Sequence, residues 1–155
     1  MENIIIRKAK RFDIPDILVI ENFCFTEEAF SKCQFDYLIT KSNGAFYVIE
    51  HNNKLIAYIS LLFNTRTRNL RLYSLAIHPE YRKLNLGSRL LDESVKFALE
   101  INAKKISLEV NIYNNVALKL YRKFNFTIKK IKPSYYHDGS DAYYMVKDDF
   151  KLTNI

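Results

Sequence analysis

The chain has 155 residues, 48% hydrophobic and 26% charged, with 24 Lys and Arg against 17 Asp and Glu for a net charge of +7. That length fits one domain over 1–155 with a core that stands without disulfides. The proportions are those of a globular protein, and no apolar run reaches the roughly 20 residues that cross a bilayer. The positive charge invites an anionic partner, yet the basic residues are spread out, with no RNA-binding motif and no long basic arm. That distribution argues against nucleic acid and suits a phosphorylated cofactor or a plain solvated surface equally well.

The opening "MENIIIRKAKRFD" lacks the basic, apolar and cleavage regions of a signal peptide, and a cytoplasmic protein is expected. "NIIIRKA" reads as a strand. "DIPDILVIENFCF" then opens a helix, with Asp13 as its cap and Pro15 in the first turn. A second helix is expected over "TEEAFSKCQFDYLI", where Thr26 caps and Glu27 and Glu28 face the positive end of the helix dipole. Cys24 and Cys33 show no CxxC spacing and no neighbouring histidine, so they read as buried free thiols and no metal is expected.

"AFYVIE", "HNNK" and "KLIAYISLLF" form a strand, a turn and a strand, because Asn tolerates the left-handed backbone of a hairpin turn. After the turn "RTRN", "LRLYSLAI" continues the sheet. Leu86, Leu90, Leu91, Val95 and Ala98 then recur at helical spacing. In "KKISLEVNI" the residues Ile106, Leu108 and Val110 share one face of a strand, with Ser107 and Glu109 on the other. "NNVALKLYRKF" is a helix with Ala117, Leu118, Tyr121 and Phe124 along one side. "FTIKKIK" and "AYYMVKDDF" are two more strands, joined by the Tyr-rich "PSYYHDGSD". The fold class is therefore mixed α/β, helices interleaved with a mixed sheet.

Chemistry is concentrated first in "YRKLNLGSRLL", residues 81–91, between a buried strand and an amphipathic helix. A tight basic loop running into a helix N-terminus gathers backbone N–H groups and a positive dipole end at one point, which favours a phosphate. The loop has one glycine where such turns usually show two or three. Asn85 precedes it by two positions, and Asn is the side chain most at ease with positive φ.

The stretches "SLAIHPEYRKLNLGSRLL", "LEVNIYNNVALKLYRKFNF", "YYHDGSDAYYM" and "IRKAKRFDIPDILVIE" resemble the GNAT N-acetyltransferase family, and within it the RimI and NatA-catalytic-subunit type that acetylates protein N-termini. The resemblance implies a central mixed, mostly antiparallel sheet flanked by helices, and acetyl-CoA as cosubstrate. It implies a cofactor loop of Arg82, Lys83, Leu84, Asn85, Leu86, Gly87 and Ser88, with Asn85 where the family usually has glycine. Leu75, Ala76 and Ile77 would pair with the pantetheine arm, the Ile77 N–H would serve the developing oxyanion, and Asn114 would hydrogen-bond the cofactor. By the same resemblance Glu109 and Tyr121 are the base and acid, with Glu27 competing with Glu109 for the first role. Tyr135, Tyr136 and Tyr143, with Phe25 and Phe30 opposite, would hold the substrate peptide.

The implied reaction moves acetyl to the α-amino group of a protein or peptide. A lysine or small amine as acceptor, and a non-catalytic basic nucleic-acid-binding module, are the competing readings. His78 and His137 are assigned no role, and an auxiliary subunit is left open.

Overall fold

The computed structural model describes residues 3–25 and 30–150 of the chain. Strand β1 (Ile4–Lys8) is followed by a short 3-10 turn, Arg11–Asp13, and by helix α1 (Ile14–Cys24). Pro15 sits in the first turn of α1, where its missing N–H costs no hydrogen bond. Asp13 stands directly before α1 as expected but makes no side-chain cap to it. Its carboxylate instead accepts the Lys10 N–H at 2.7 Å and both terminal nitrogens of Arg7 at 2.8 Å, locking the 3-10 turn to β1.

Helix α2 runs over Lys32–Thr40, with Ser31 as its cap. The Ser31 hydroxyl accepts the Gln34 N–H at 3.3 Å, and the Gln34 side chain accepts the Ser31 N–H at 2.7 Å. The expected start at Thr26 is corrected accordingly. Ser31 has Gln34 at its third position to close the reciprocal box, whereas Thr26 has Ala29 there, which accepts nothing. Thr26 itself, with Glu27 and Glu28, lies outside the described residues.

Strands β2 (Ala45–His51) and β3 (Lys54–Asn64) form the expected hairpin, with Asn52 at φ 51° and Asn53 at φ 64° making the turn. Just before β2, a Cβ on Gly44 would lie 1.7 Å from the Leu61 carbonyl oxygen, so no other residue fits that crossing. Then come β4 (Asn69–Ile77), α3 (Leu86–Glu100), β5 (Lys105–Asn111), α4 (Asn115–Lys123), β6 (Thr127–Lys132) and β7 (Ala142–Lys147). They form one sheet of order β1-β2-β3-β4-β5-β7-β6, antiparallel throughout except at the β4–β5 joint.

That joint positions the site. The parallel pairing covers only Asn69 with Lys105, Leu70 with Ile106 and Arg71 with Ser107. Past these three pairs the strands part, and among the described residues the second half of β4 pairs with β3 alone. A bulge sharpens the separation: Ser60 faces Ser74 while Leu61 faces Leu72, leaving Tyr73 as the extra residue. Bulges bend and twist the strand that carries them.

The two sheet faces are packed differently. On one, Leu86, Leu90 and Leu91 of α3 and Leu118 and Tyr121 of α4 cover Ile59, Leu72, Leu108 and Met145. On the other, Ile17 and Ile20 of α1 and Phe35 and Leu38 of α2 cover Val48, Tyr58 and Ala76. Helices α1 and α2 lie against β2, β3 and β4, and β6 is exposed over most of its length. The expectation of two buried thiols is corrected: Cys24 is half-buried and Cys33 exposed. Cys33 lies two residues before the buried Phe35, hence on the opposite side of α2. Among the described residues, no helix is long and apolar enough to cross a membrane.

Candidate active site

The loop from β4 to α3 turns through two left-handed residues, Lys83 at φ 72° and Asn85 at φ 62°, ψ 24°. Asn85 takes the conformation that would otherwise call for glycine, and it is the N-terminal flanking residue of α3. The first helical bond of α3 is donated by Arg89 to the Asn85 carbonyl at 3.3 Å. The N–H groups of Leu86, Gly87 and Ser88 therefore stand at the positive end of a 15-residue helix without a partner inside it. These groups fit a phosphate. Gly87 serves a second purpose, since a Cβ there would approach Cδ2 of Leu120 on α4 to 2.8 Å. Gly87 thus sets how closely α3 and α4 converge.

Beside this loop, β4 offers a free edge. The His78 N–H bonds to the Ile56 carbonyl, back toward β3, at 2.8 Å. The Ile77 carbonyl points the other way and accepts the Cys24 thiol at 3.4 Å and Nε of Arg82 at 3.3 Å. In a strand, the N–H and C=O of one residue point to the same side. The Ile77 N–H therefore faces the gap between β4 and β5. Leu75 and Ile77 pack toward α3 and α4, and Ala76 packs toward α1.

Glu109 lies on the far side of that gap, two residues past the last β4–β5 pair. It points away from the α3 and α4 core, as its alternation predicts, but its side chain is only 8% exposed. Oε1 accepts from Arg71 at 2.8 and 3.1 Å, and Oε2 accepts from Lys132 at 2.7 Å. Two cations thus hold the carboxylate in place, and Oε2 keeps one lone pair for a further donor.

Tyr121 is buried on α4, its ring 5.7 Å from that of Phe126. Burial pushes its phenol well above the ordinary range, with the Tyr136 phenol adding to the effect. It therefore keeps its proton at any working pH. Asn114 spends its side-chain oxygen on the Ala117 N–H at 3.1 Å, as the cap of α4.

Residues 14–126 match the family model described as the acetyltransferase (GNAT) family. The chain belongs to the acetyltransferase (GNAT) family. It is 31% identical over 151 residues to an N-alpha-acetyltransferase of Sulfurisphaera tokodaii, covering 90% of each chain. It is 30% identical over 141 residues to a putative [ribosomal protein bS18]-alanine N-acetyltransferase of Bacillus subtilis, covering 90% of this chain and 92% of that one. The structure of Ard1 from Thermoplasma volcanium superposes with a TM-score of 0.87 at 27% identity, covering 94% of this chain and 97% of that one. Family membership accounts for the sheet, the parted strands and the loop together.

The remaining expected residues of the acetyltransferase divide between the two faces. Tyr135 is 40% exposed, lies edge-on to Tyr136 at 5.0 Å and accepts from Arg71 at 3.2 Å, so it stands beside Glu109. Tyr143 pairs with Val110 and packs toward α3 and α4, on the face of Tyr121. Phe25 and Phe30 pack on the α1 and α2 side, and the Phe30 ring lies 5.1 Å from that of Tyr73. Glu27 lies outside the described residues. His78 is a buried cap, its Nδ1 accepting the Glu80 N–H at 3.2 Å, with Phe23 and Tyr81 packed on its ring.

Several residues escaped the sequence reading. Arg71 and Lys132 hold Glu109, and the β4–β5, β5–β7 and β6–β7 pairings bring them there. Glu21, 1% exposed on α1, accepts the Phe30 N–H at 2.8 Å and the Tyr58 hydroxyl, tying the end of the α1–α2 connection to β3. A charged residue within the apolar run "DILVIENF" is the signal that could have found it.

Proposed function

We propose that the protein transfers the acetyl group of acetyl-CoA to the α-amino group of a protein or peptide, by direct attack with both substrates bound. The observation that carries this reading is the parting of β4 and β5 after Arg71 and Ser107, which sets the open edge of Ile77 and the held carboxylate of Glu109 on opposite sides of one gap. The curated relatives named as N-alpha-acetyltransferases support the choice of acceptor.

In this reading the amides of Leu86, Gly87 and Ser88 hold the pyrophosphate, while the Ile77 N–H meets the negative charge that develops on the thioester oxygen. The amine must enter neutral, because an ammonium has no lone pair. An α-amino group, with a pKa near 7.7 to 8.0, is roughly one-tenth neutral at pH 7, whereas a lysine amine near 10.4 is far less so. Glu109 accepts the amine proton directly or through a water, with Glu27 the competing carboxylate. As the C–N bond forms and the C–S bond breaks, Tyr121 hydrogen-bonds the departing thiolate and donates its proton. Tyr135 and Tyr136 flank the acceptor from one side, Phe25 and Phe30 from the other, and Tyr143 lines the gap from the α4 side.

The test is a panel of short peptides with free and blocked N-termini, each with and without an internal lysine, assayed with acetyl-CoA. Acetylation confined to free N-termini is expected. Acetylation of blocked, lysine-containing peptides at the same rate would move the acceptor to the lysine side chain.

A further inference from the structure

Helices α1 and α2 lie against β2, β3 and β4 on their side of the sheet, and the continuation of that face over β5, β7 and β6 carries an unusual concentration of positive charge. Lys105, Lys130 and Lys132 bring their ammonium groups to 5.9, 5.5 and 5.1 Å from the centre of one ring, that of Tyr144. Arg71 lies 5.0 Å over Tyr73 beside them. Glu109 is the carboxylate these cations meet, and it is taken by Arg71 and Lys132. Among the described residues, neither Lys105 nor Lys130 has a carboxylate partner. Cation–π contact with a tyrosine offsets only part of the repulsion among three gathered ammonium groups. An anion laid across them relieves the rest.

We infer that this face is a docking strip for an acidic stretch of the acceptor chain, an inference that rests on the peptide-acceptor reading above. Tyr144 pairs directly with Glu109 and with Lys130, so the strip begins at the proposed acceptor site and leads away from it. Lys105 is four residues from Glu109 on β5, roughly 13 Å at about 3.3 Å per residue. An extended acceptor with its amine at Glu109 thus reaches Lys105, which donates to the Tyr144 hydroxyl at 3.4 Å, and Lys130 at about its fourth to sixth residues. The aromatic groups of the strip favour peptide over nucleic acid. Among the described residues, Tyr144 is already flanked by ammonium groups, Tyr73 by Arg71 and Phe30, and Tyr135 by Lys132 and Tyr136, so a base stacking on any of these rings would compete with neighbours already there.

The test uses free-amine peptides that share their first three residues and carry Glu, Gln or Lys in the next four, assayed with wild type and with the double variant Lys105→Gln, Lys130→Gln. The same peptides, Nα-acetylated and fluorescently labelled, are titrated for binding by anisotropy at low and high salt. In wild type, the Glu peptide should show a KM and a Kd roughly three- to tenfold below those of the Gln peptide, two exposed charge pairs being worth about that much. The preference should vanish in the double variant and shrink with salt, and kcat on the Gln peptide should stay unchanged. Equal binding of the Glu and Gln peptides to wild type, or a preference that survives the double variant, overturns the strip. So does a single-stranded oligonucleotide that binds more tightly than the Glu peptide and loses affinity in the double variant. If no peptide is acetylated, the acceptor reading fails, while the anisotropy arm still decides the strip.

Discussion

The two sides of the parted strands present groups of different kinds. Toward α3 and α4, packing is apolar and the groups presented to the cleft are backbone amides, at Leu86, Gly87 and Ser88 and at Ile77. Toward α1 and the open strip, the groups presented are charged side chains: Glu109 between Arg71 and Lys132. On the first side a side chain matters through the backbone conformation it allows and the space it leaves. On the second it matters through charge.

The largest effect tests the charged side. Glu109→Gln keeps the shape but removes the proton acceptor and leaves Arg71 and Lys132 unpaired, so kcat should fall on the order of 10² to 10⁴, with acetyl-CoA affinity nearly unchanged by calorimetry. If Glu27→Gln shows that loss and Glu109→Gln does not, Glu27 is the base and Glu109 a positioning residue. Tyr121→Phe comes next. It keeps the packing on Phe126 and deletes only the donor, so kcat should fall roughly ten- to a thousandfold, with the thermal midpoint little changed. That loss should shrink with an acyl donor whose leaving thiol is more acidic.

Gly87→Val breaks the backbone side through space rather than charge. Its branched side chain meets Leu120 and drives α3 from α4, so stability should drop by about 1–3 kcal/mol in chemical denaturation, with weakened acetyl-CoA binding. Gly87→Ala should be far milder, because the atom it meets is the mobile end of a leucine.

A pH titration separates two carboxylates near α1. Burial pushes Glu21 above its ordinary value, only partly opposed by its bonds from Tyr58 and Phe30. Folded protein then holds a proton that the unfolded chain releases, so stability should fall as pH rises from about 4.5 through the raised value, and Glu21→Gln should flatten that slope. For Asp13, burial also pushes upward, but the Arg7 guanidinium and the Lys10 amide outweigh it and hold the group low. Its contribution is present above the ordinary value near 3.8 and is lost as pH falls below it, a slope that Asp13→Asn should remove. The smallest change is expected from Asn85→Gly, which relaxes a left-handed residue and should leave acetyl-CoA affinity within about twofold of wild type, or slightly better.

What the sequence alone determined is the order of strands and helices, the left-handed turn at Asn85 and the family. These rest on local signals: alternation in "KKISLEVNI", the apolar stripe from Leu86 to Ala98, and the tolerance of Asn for positive φ. Local signals misled over where α2 begins, its cap being Ser31, and where burial depended on what packs above, as at Cys33. Only the tertiary structure decided the partners of Glu109, the clamp between Glu21 and Tyr58, and the gathering of Lys105, Lys130 and Lys132 on Tyr144. Arg71 meets Glu109 because β4 and β5 pair in parallel in one register and then part. A change of one residue in that register would move every side chain of β5 to the other face. Charge pairing across strands far apart in the chain leaves no local pattern, since the free energy that selects it appears only once the whole sheet has formed.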